Sequence, residues 1–141
     1  MTTSLDTNVL VALWDKDEEV SSAAQAALDA ALAGGGLVVS APVFSELLTA
    51  PRRDDQFLEV FFADTGIRVD WNLGEHAWRL AGRAFQAYAV RRRRQRDAGP
   101  RRILADFLIG AHALHKGYRL LTLDASFYRS AFPDLEVVRC V

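Results

Sequence analysis

The chain has 141 residues, half of them apolar and a quarter charged, which suits a single soluble domain with one core and excludes a disordered or low-complexity protein. Its formal net charge of −1 points by itself to no polyanionic partner. No stretch is long enough to span a bilayer, and MTTSLDTNVL reaches Asp6 without a basic leader, so the expectation is one domain over residues 1–141, cytoplasmic and without a membrane partner.

Leu5 belongs to a brief apolar start that breaks at Asp6-Thr7-Asn8, residues suited to a strand-to-helix turn, after which Val9 to Trp14 resumes as a helix. Glu18 to Ala33 is alanine-rich with apolar residues at helical spacing, and Gly34-Gly35-Gly36 stops it. Leu37 to Val39 reads as a buried strand. Ser40 and Pro42 then serve as N-cap and early position of a helix from Val43 to Thr49 that carries Glu46. Asp54 to Ala63 is a further helix, Ile67 to Trp71 a third strand, and Leu73 to about Arg93 a long amphipathic helix. Gly99-Pro100 punctuates the chain before a helix from Ile103 to His115. Arg119 to Thr122 is a fourth strand, Ala125 to Ala131 a short helix, and Leu135 to Arg139 a fifth strand. The lone cysteine, Cys140, cannot close an internal disulfide and reads as a small buried hydrophobe.

Strands alternating with helices predict an α/β domain of three layers, α/β/α, on a mainly parallel sheet of roughly five strands. In such sheets crossovers are right-handed and ligands bind beyond the carboxyl ends of the strands. Four acids fall at that edge. Asp6 follows the first strand and Asp124 the fourth; Glu46 lies about one turn into the helix after the second, and Asp106 opens the helix that leads to the fourth. Clustered carboxylates supply the oxygen donors that Mg²⁺ or Mn²⁺ prefers, and without a cation their repulsion raises some pKa values. The residues therefore point to a metal-dependent enzyme acting on phosphodiesters. Two helices separate the third and fourth strands, so either the long helix crosses the top of the sheet or the segment Arg91 to Arg102 climbs back. Both routes bring arginines to the acidic edge. Seven of the fifteen arginines fall in that segment.

The segments LDTNVLVAL around Asp6, SAPVFSELL around Glu46, RRILADFLIGAHAL around Asp106 and RLLTLD ending at Asp124 run from one end of the chain to the other. In that order and at that spacing they resemble the PIN domain, and within it the toxin component of VapBC toxin–antitoxin pairs. The resemblance implies a Mg²⁺- or Mn²⁺-dependent endoribonuclease that cuts transfer, ribosomal or messenger RNA and leaves 5′-phosphate and 3′-hydroxyl ends. It also implies a homodimer, and a hetero-oligomer with a VapB-like antitoxin whose C-terminal arm covers the acidic pocket.

On this reading Asp6, Glu46 and Asp106 are catalytic. Asp6, Asp106 and Asp124 hold a first ion, Asp124 directly or through water, and Glu46 helps to hold a second, in a pair roughly 3.5–4 Å apart. Asn8 and Thr122 are assigned to hydrogen bonds that orient carboxylates or water, with a helix cap and an inward strand hydroxyl as their alternatives. Guanidinium forks bind phosphate, so Arg101 and Arg102, with Arg94, are the candidate RNA-binding residues, against a solvated helix end. His112 lies six residues beyond Asp106, roughly 240° around the helix, and faces away from it. No cysteine joins His112 and His115, which argues against zinc. Alternatives are a housekeeping PIN-domain RNA-processing nuclease and a catalytically silent RNA- or partner-binding module. A receiver-type phosphoacceptor lacks its adjacent acids and its lysine here, and a haloacid dehalogenase phosphatase needs a second aspartate where Asn8 stands.

Overall fold

The computed structural model describes residues 1–95 and 101–140, so the expected Gly99-Pro100 break and Arg96 lie outside the described residues. The chain runs β1 (Thr3–Leu5), α1 (Thr7–Leu13), α2 (Glu18–Gly34), β2 (Leu37–Ser40), α3 (Ala41–Leu47), α4 (Asp55–Thr65), β3 (Arg68–Asp70), α5 (Gly74–Gln95), α6 (Leu104–Lys116), β4 (Arg119–Thr122), α7 (Ala125–Ala131) and β5 (Val137–Arg139). The five strands form one sheet in the order β3-β2-β1-β4-β5, and every pairing is parallel.

That order fixes the layers. The chain steps from β1 to β2 to β3 in one direction, then returns past β1 to β4 and β5, so right-handed crossovers place α1–α4 on one face and α5–α7 on the other. Aromatic contacts follow this division. Trp14, at the end of α1, meets Phe57 and Phe61 of α4 edge to face, while Phe107 of α6 packs on Phe85 and Tyr88 of α5 and on Phe127 of α7. Between the layers β1 and β2 are buried along their whole length, which is why Leu37 to Val39 reads as an unbroken apolar run.

Local chemistry sets the helix ends. Asp6, Asp17 and Asp54 accept backbone N–H bonds at the starts of α1, α2 and α4. Gly66 and Gly117 close α4 and α6 in the left-handed region, at φ 72° and 74°. Ser40 is the exception. It stands at the N-cap of α3, but its buried hydroxyl makes no cap bond, and the helix begins at Ala41 rather than Val43, with Pro42 supplying a preset φ. Glu46 is consequently the penultimate residue of α3, about 7.5 Å along its axis from Ala41 at 1.5 Å per residue. The fifth strand is shorter than expected, because Leu135 bonds back to Phe132 and only Val137–Arg139 pairs with β4.

Candidate active site

β1 lies between β2 and β4, and the chain leaves it toward β2 and comes back to β4. The carboxyl ends of β1 and β4 thus flank a topological switch point, where a parallel sheet opens a crevice. Leu5 is level with Leu121, so Asp6 and Thr122 leave the sheet side by side. Asp6 is only 5% exposed. One of its carboxylate oxygens accepts the Thr7 N–H at 2.8 Å and the other accepts the Thr122 hydroxyl at 2.7 Å. Thr122 Oγ1 in turn accepts the Asp124 N–H at 2.9 Å, and Asn8 Oδ1 accepts the Leu123 N–H at 3.2 Å. Asp6 is therefore both a helix cap and the floor of the crevice.

The remaining acids surround it. Glu46 Oε1 accepts the Thr7 hydroxyl at 2.6 Å, which ties α3 to the start of α1. Asp106 lies in the first turn of α6, half-buried. Asp124, just beyond β4, is ion-paired with Arg102, whose guanidinium lies 4.2 Å from the centre of the Phe127 ring. The Arg102 backbone N–H donates to the Tyr88 hydroxyl at 2.9 Å.

Electrostatics mark these groups as one set. Burial pushes the Asp6 carboxyl up to about 6 against the bond from Thr122, and the charge of Asp106 adds to the rise. Asp106 is raised by burial and by the charge of Glu46, with Arg102 opposing. Tyr128 has its hydroxyl buried beside the Asp6 carboxylate. Burial and the charges of Asp6, Asp106 and Glu46 drive its pKa far upward, so it stays neutral. Like charges held together at a partly buried edge cost free energy unless a cation joins them. The donors are all oxygens, which fits a hard divalent ion. As placed, the set is open: among the described residues no three His, Cys, Asp or Glu side chains stand close enough to share one ion.

The family profile described as PIN domain matches residues 4–133, which takes in all four acids. The chain belongs to the PIN domain family. Members of this family are nucleases, and they generally use divalent metal ions. Among curated proteins no match is found. Solved structures similar to this PIN domain include a toxin–antitoxin complex from Klebsiella pneumoniae, at 19% identity over 99% of this chain and 98% of that one, with a TM-score of 0.69. VapBC-1 from nontypeable Haemophilus influenzae is 19% identical over the same shares, at a TM-score of 0.64. VapBC2 from Rickettsia felis, bound to a DNA fragment from its promoter, is 16% identical, again over 99% and 98%, at 0.64. The likeness to these structures is one of fold.

Elsewhere in this PIN domain, His112 is fully buried and lies 2.8 Å from Asp70 at the end of β3, away from the acids, and the His115 ring sits 4.7 Å from that of His76. Arg94 and Arg101 are exposed, whereas Arg102 is engaged by Asp124. Cys140 is buried, as a small hydrophobe would be. Sequence reasoning passed over Thr7, Tyr128, Tyr88 and Phe127. Thr7 stands between two residues already singled out, and Tyr128 follows Asp124 by four positions, one helical turn, which is the signal that could have found it.

Proposed function

We propose that this PIN-domain protein is the toxin of a type II toxin–antitoxin module, a cytoplasmic endoribonuclease dependent on Mg²⁺ or Mn²⁺. It cleaves transfer, ribosomal or messenger RNA to 5′-phosphate and 3′-hydroxyl ends. The observation that carries the reading is the Asp6 carboxylate, buried at the switch point and coupled to Asp106, which in turn is coupled to Glu46. Support for a toxin comes from the fold shared with toxin–antitoxin complexes of near-equal length. The same likeness supports a VapB-like antitoxin as partner, and the homodimer follows from the proposed family type.

Asp6, Glu46 and Asp106 are the proposed catalytic carboxylates and, with Asp124, would hold the divalent cation. When bound, the cation supplies neutralisation of charge on the phosphate and acidification of the attacking water. The protein's own part is orientation. Thr122 and the Thr7 N–H fix both Asp6 oxygens, Thr7 Oγ1 fixes Glu46, and Asn8 holds the turn that carries Asp124. With its acceptor lone pairs directed by these donors, the carboxylate set keeps its shape while the phosphodiester is aligned for in-line attack. Arg102, together with Arg94 and Arg101, is the proposed contact for RNA phosphates.

Cleavage of total cellular RNA by purified protein, freed of partner, tests the reading. Discrete fragments with 5′-phosphate ends are expected with Mn²⁺ or Mg²⁺ and none with chelator. Asp106→Asn is expected to lower the rate by at least about 10³-fold, the loss of roughly 4 kcal/mol of transition-state stabilisation. Full activity of Asp106→Asn would remove that residue from the site.

A further inference from the structure

The run Arg91 to Arg94 projects around the whole circumference of α5, so only part of it can meet any one ligand. The fold sorts these arginines. Arg91 and Arg92 line a cleft of about 250 Å³ between the end of α5 and α7, and the opposite wall carries Arg102 and the hydroxyls of Ser126 and Ser130. Arg93 and Arg94 do not reach it. The volume is below the roughly 300–1,000 Å³ of pockets that enclose a drug-sized ligand, so the cleft suits a phosphate and its sugar better than a whole small molecule.

Two features show that this wall is organised. The Tyr88 hydroxyl accepts from Arg92 Nη1 at 3.3 Å and from the Arg102 backbone at 2.9 Å, so one phenol anchors the side chain of one arginine and the main chain of the other. Arg102 also belongs to the acidic crevice, since its guanidinium pairs with Asp124 while lying over Phe127, which lines the cleft. The cleft and the carboxylates thus share one side chain as a wall. Cations and hydroxyl donors on one side of that wall, and carboxylates on the other, match the alternation a nucleic-acid strand needs: one phosphate gripped, the neighbouring one presented for reaction.

We propose that the cleft between α5 and α7 is a phosphate subsite that grips the single-stranded RNA backbone beside the phosphodiester offered to the carboxylates, with Arg91, Arg92 and Arg102 as its anion-binding groups. It rests on the RNA-cleaving reading above and deepens it. Arginines near the end of α5 would also be placed there by the helix dipole alone, and the test separates the two.

The test measures binding of a short fluorescent single-stranded RNA to the full chain in chelator, where cleavage does not interfere, over a series of salt concentrations. The double variant Arg91→Gln/Arg92→Gln should bind about tenfold more weakly, and its log–log salt slope should fall by about 0.7 for each phosphate the cleft no longer grips. A control that removes the same charge from the same helix outside the cleft, Arg83→Gln/Arg93→Gln, should keep most of the affinity and slope. Arg91→Lys/Arg92→Lys should recover most of the slope, and equal melting temperatures would show that all the variants fold. Equal losses in the two glutamine pairs would overturn the subsite in favour of diffuse attraction. Unchanged RNA binding in Arg91→Gln/Arg92→Gln, together with a phosphate-induced rise in melting temperature that this variant loses, would assign the cleft to a free phosphate ion and overturn the RNA assignment. If the wild-type chain binds no RNA, the subsite and the RNA reading fall together; if it binds RNA but cuts none, only the nuclease reading falls and the variants still decide the subsite.

Discussion

Asp6 does two jobs whose demands conflict. As a helix cap and sheet-edge acceptor it is held by Thr7 and Thr122, and as a buried charge it is held at a cost. Its folded pKa of about 6 stands above the ordinary 3.8, so the folded protein binds this proton more tightly than the unfolded chain does. The contribution of this group to stability is therefore full below about pH 4 and is lost as pH rises to about 6, a loss of up to about 3 kcal/mol at 1.36 kcal/mol per unit. Asp6→Asn keeps an oxygen for the Thr7 N–H and turns an amide toward Thr122, whose oxygen can accept. The variant should lose cleavage yet be about 1–3 kcal/mol more stable than wild type at pH 7 in chelator, with the difference gone near pH 4. Urea unfolding at the two pH values checks this; a variant less stable at both would show that the carboxylate is a net asset without a cation.

Among the elements, α6 connects most of the molecule. Its first turn brings Asp106 to the acids, Phe107 joins α5 and α7, and its last turns bury His112 against Asp70 of β3. Burial pushes Asp70 up, but the bond from His112 and the neighbouring Lys116 bring it below its usual value, while burial lowers His112 itself. Both groups lose their stabilising contribution as pH falls, His112 below about 6.5 and Asp70 below about 4, the opposite direction to Asp6. Gly110 sits at the middle of the helix because a side chain there would run into the Phe132 ring that follows α7. Ala is the better helix former, so a propensity argument alone expects Gly110→Ala to stabilise by up to about 1 kcal/mol. The clash reverses the sign, and the expected outcome is a loss of about 1–3 kcal/mol in thermal or urea unfolding.

Over the whole molecule, the acids at the switch point are drawn from four separate stretches of chain, so a cation bound there would act only on the folded state. Linkage then makes binding visible as stability: a cation at about a hundred times its dissociation constant adds about 2.7 kcal/mol. Mn²⁺ should raise the melting temperature of wild type at pH 7, and the rise should shrink in Asp6→Asn and in Asp106→Asn. An equal rise in all three proteins would place cation binding elsewhere. Among the described residues no helix is long and apolar enough to cross a membrane.

Much of this was legible from sequence because it is local. The β4 and α7 boundaries match residue for residue, since Gly117, Asp124 and the apolar period delimit them within a few positions. Asp6, Asp106 and Asp124 were legible because each stands at a strand exit or a helix start, places that chain periodicity reveals, whereas Glu46 stands near the end of α3. What only the tertiary structure decided depends on partners distant in the chain. The Ser40 hydroxyl has the right identity for a cap but is buried without the bond. Asp124, one of four similar acids by sequence, is the one that Arg102 claims. The arginine run gives no means of choosing among its members until α5 is set against α7, when Arg91 and Arg92 turn into the cleft and Arg94 stays outside. Charge and spacing are properties of the chain, whereas the selection of one carboxylate or one guanidinium from a set is made by packing, because only packing sets which of them meet.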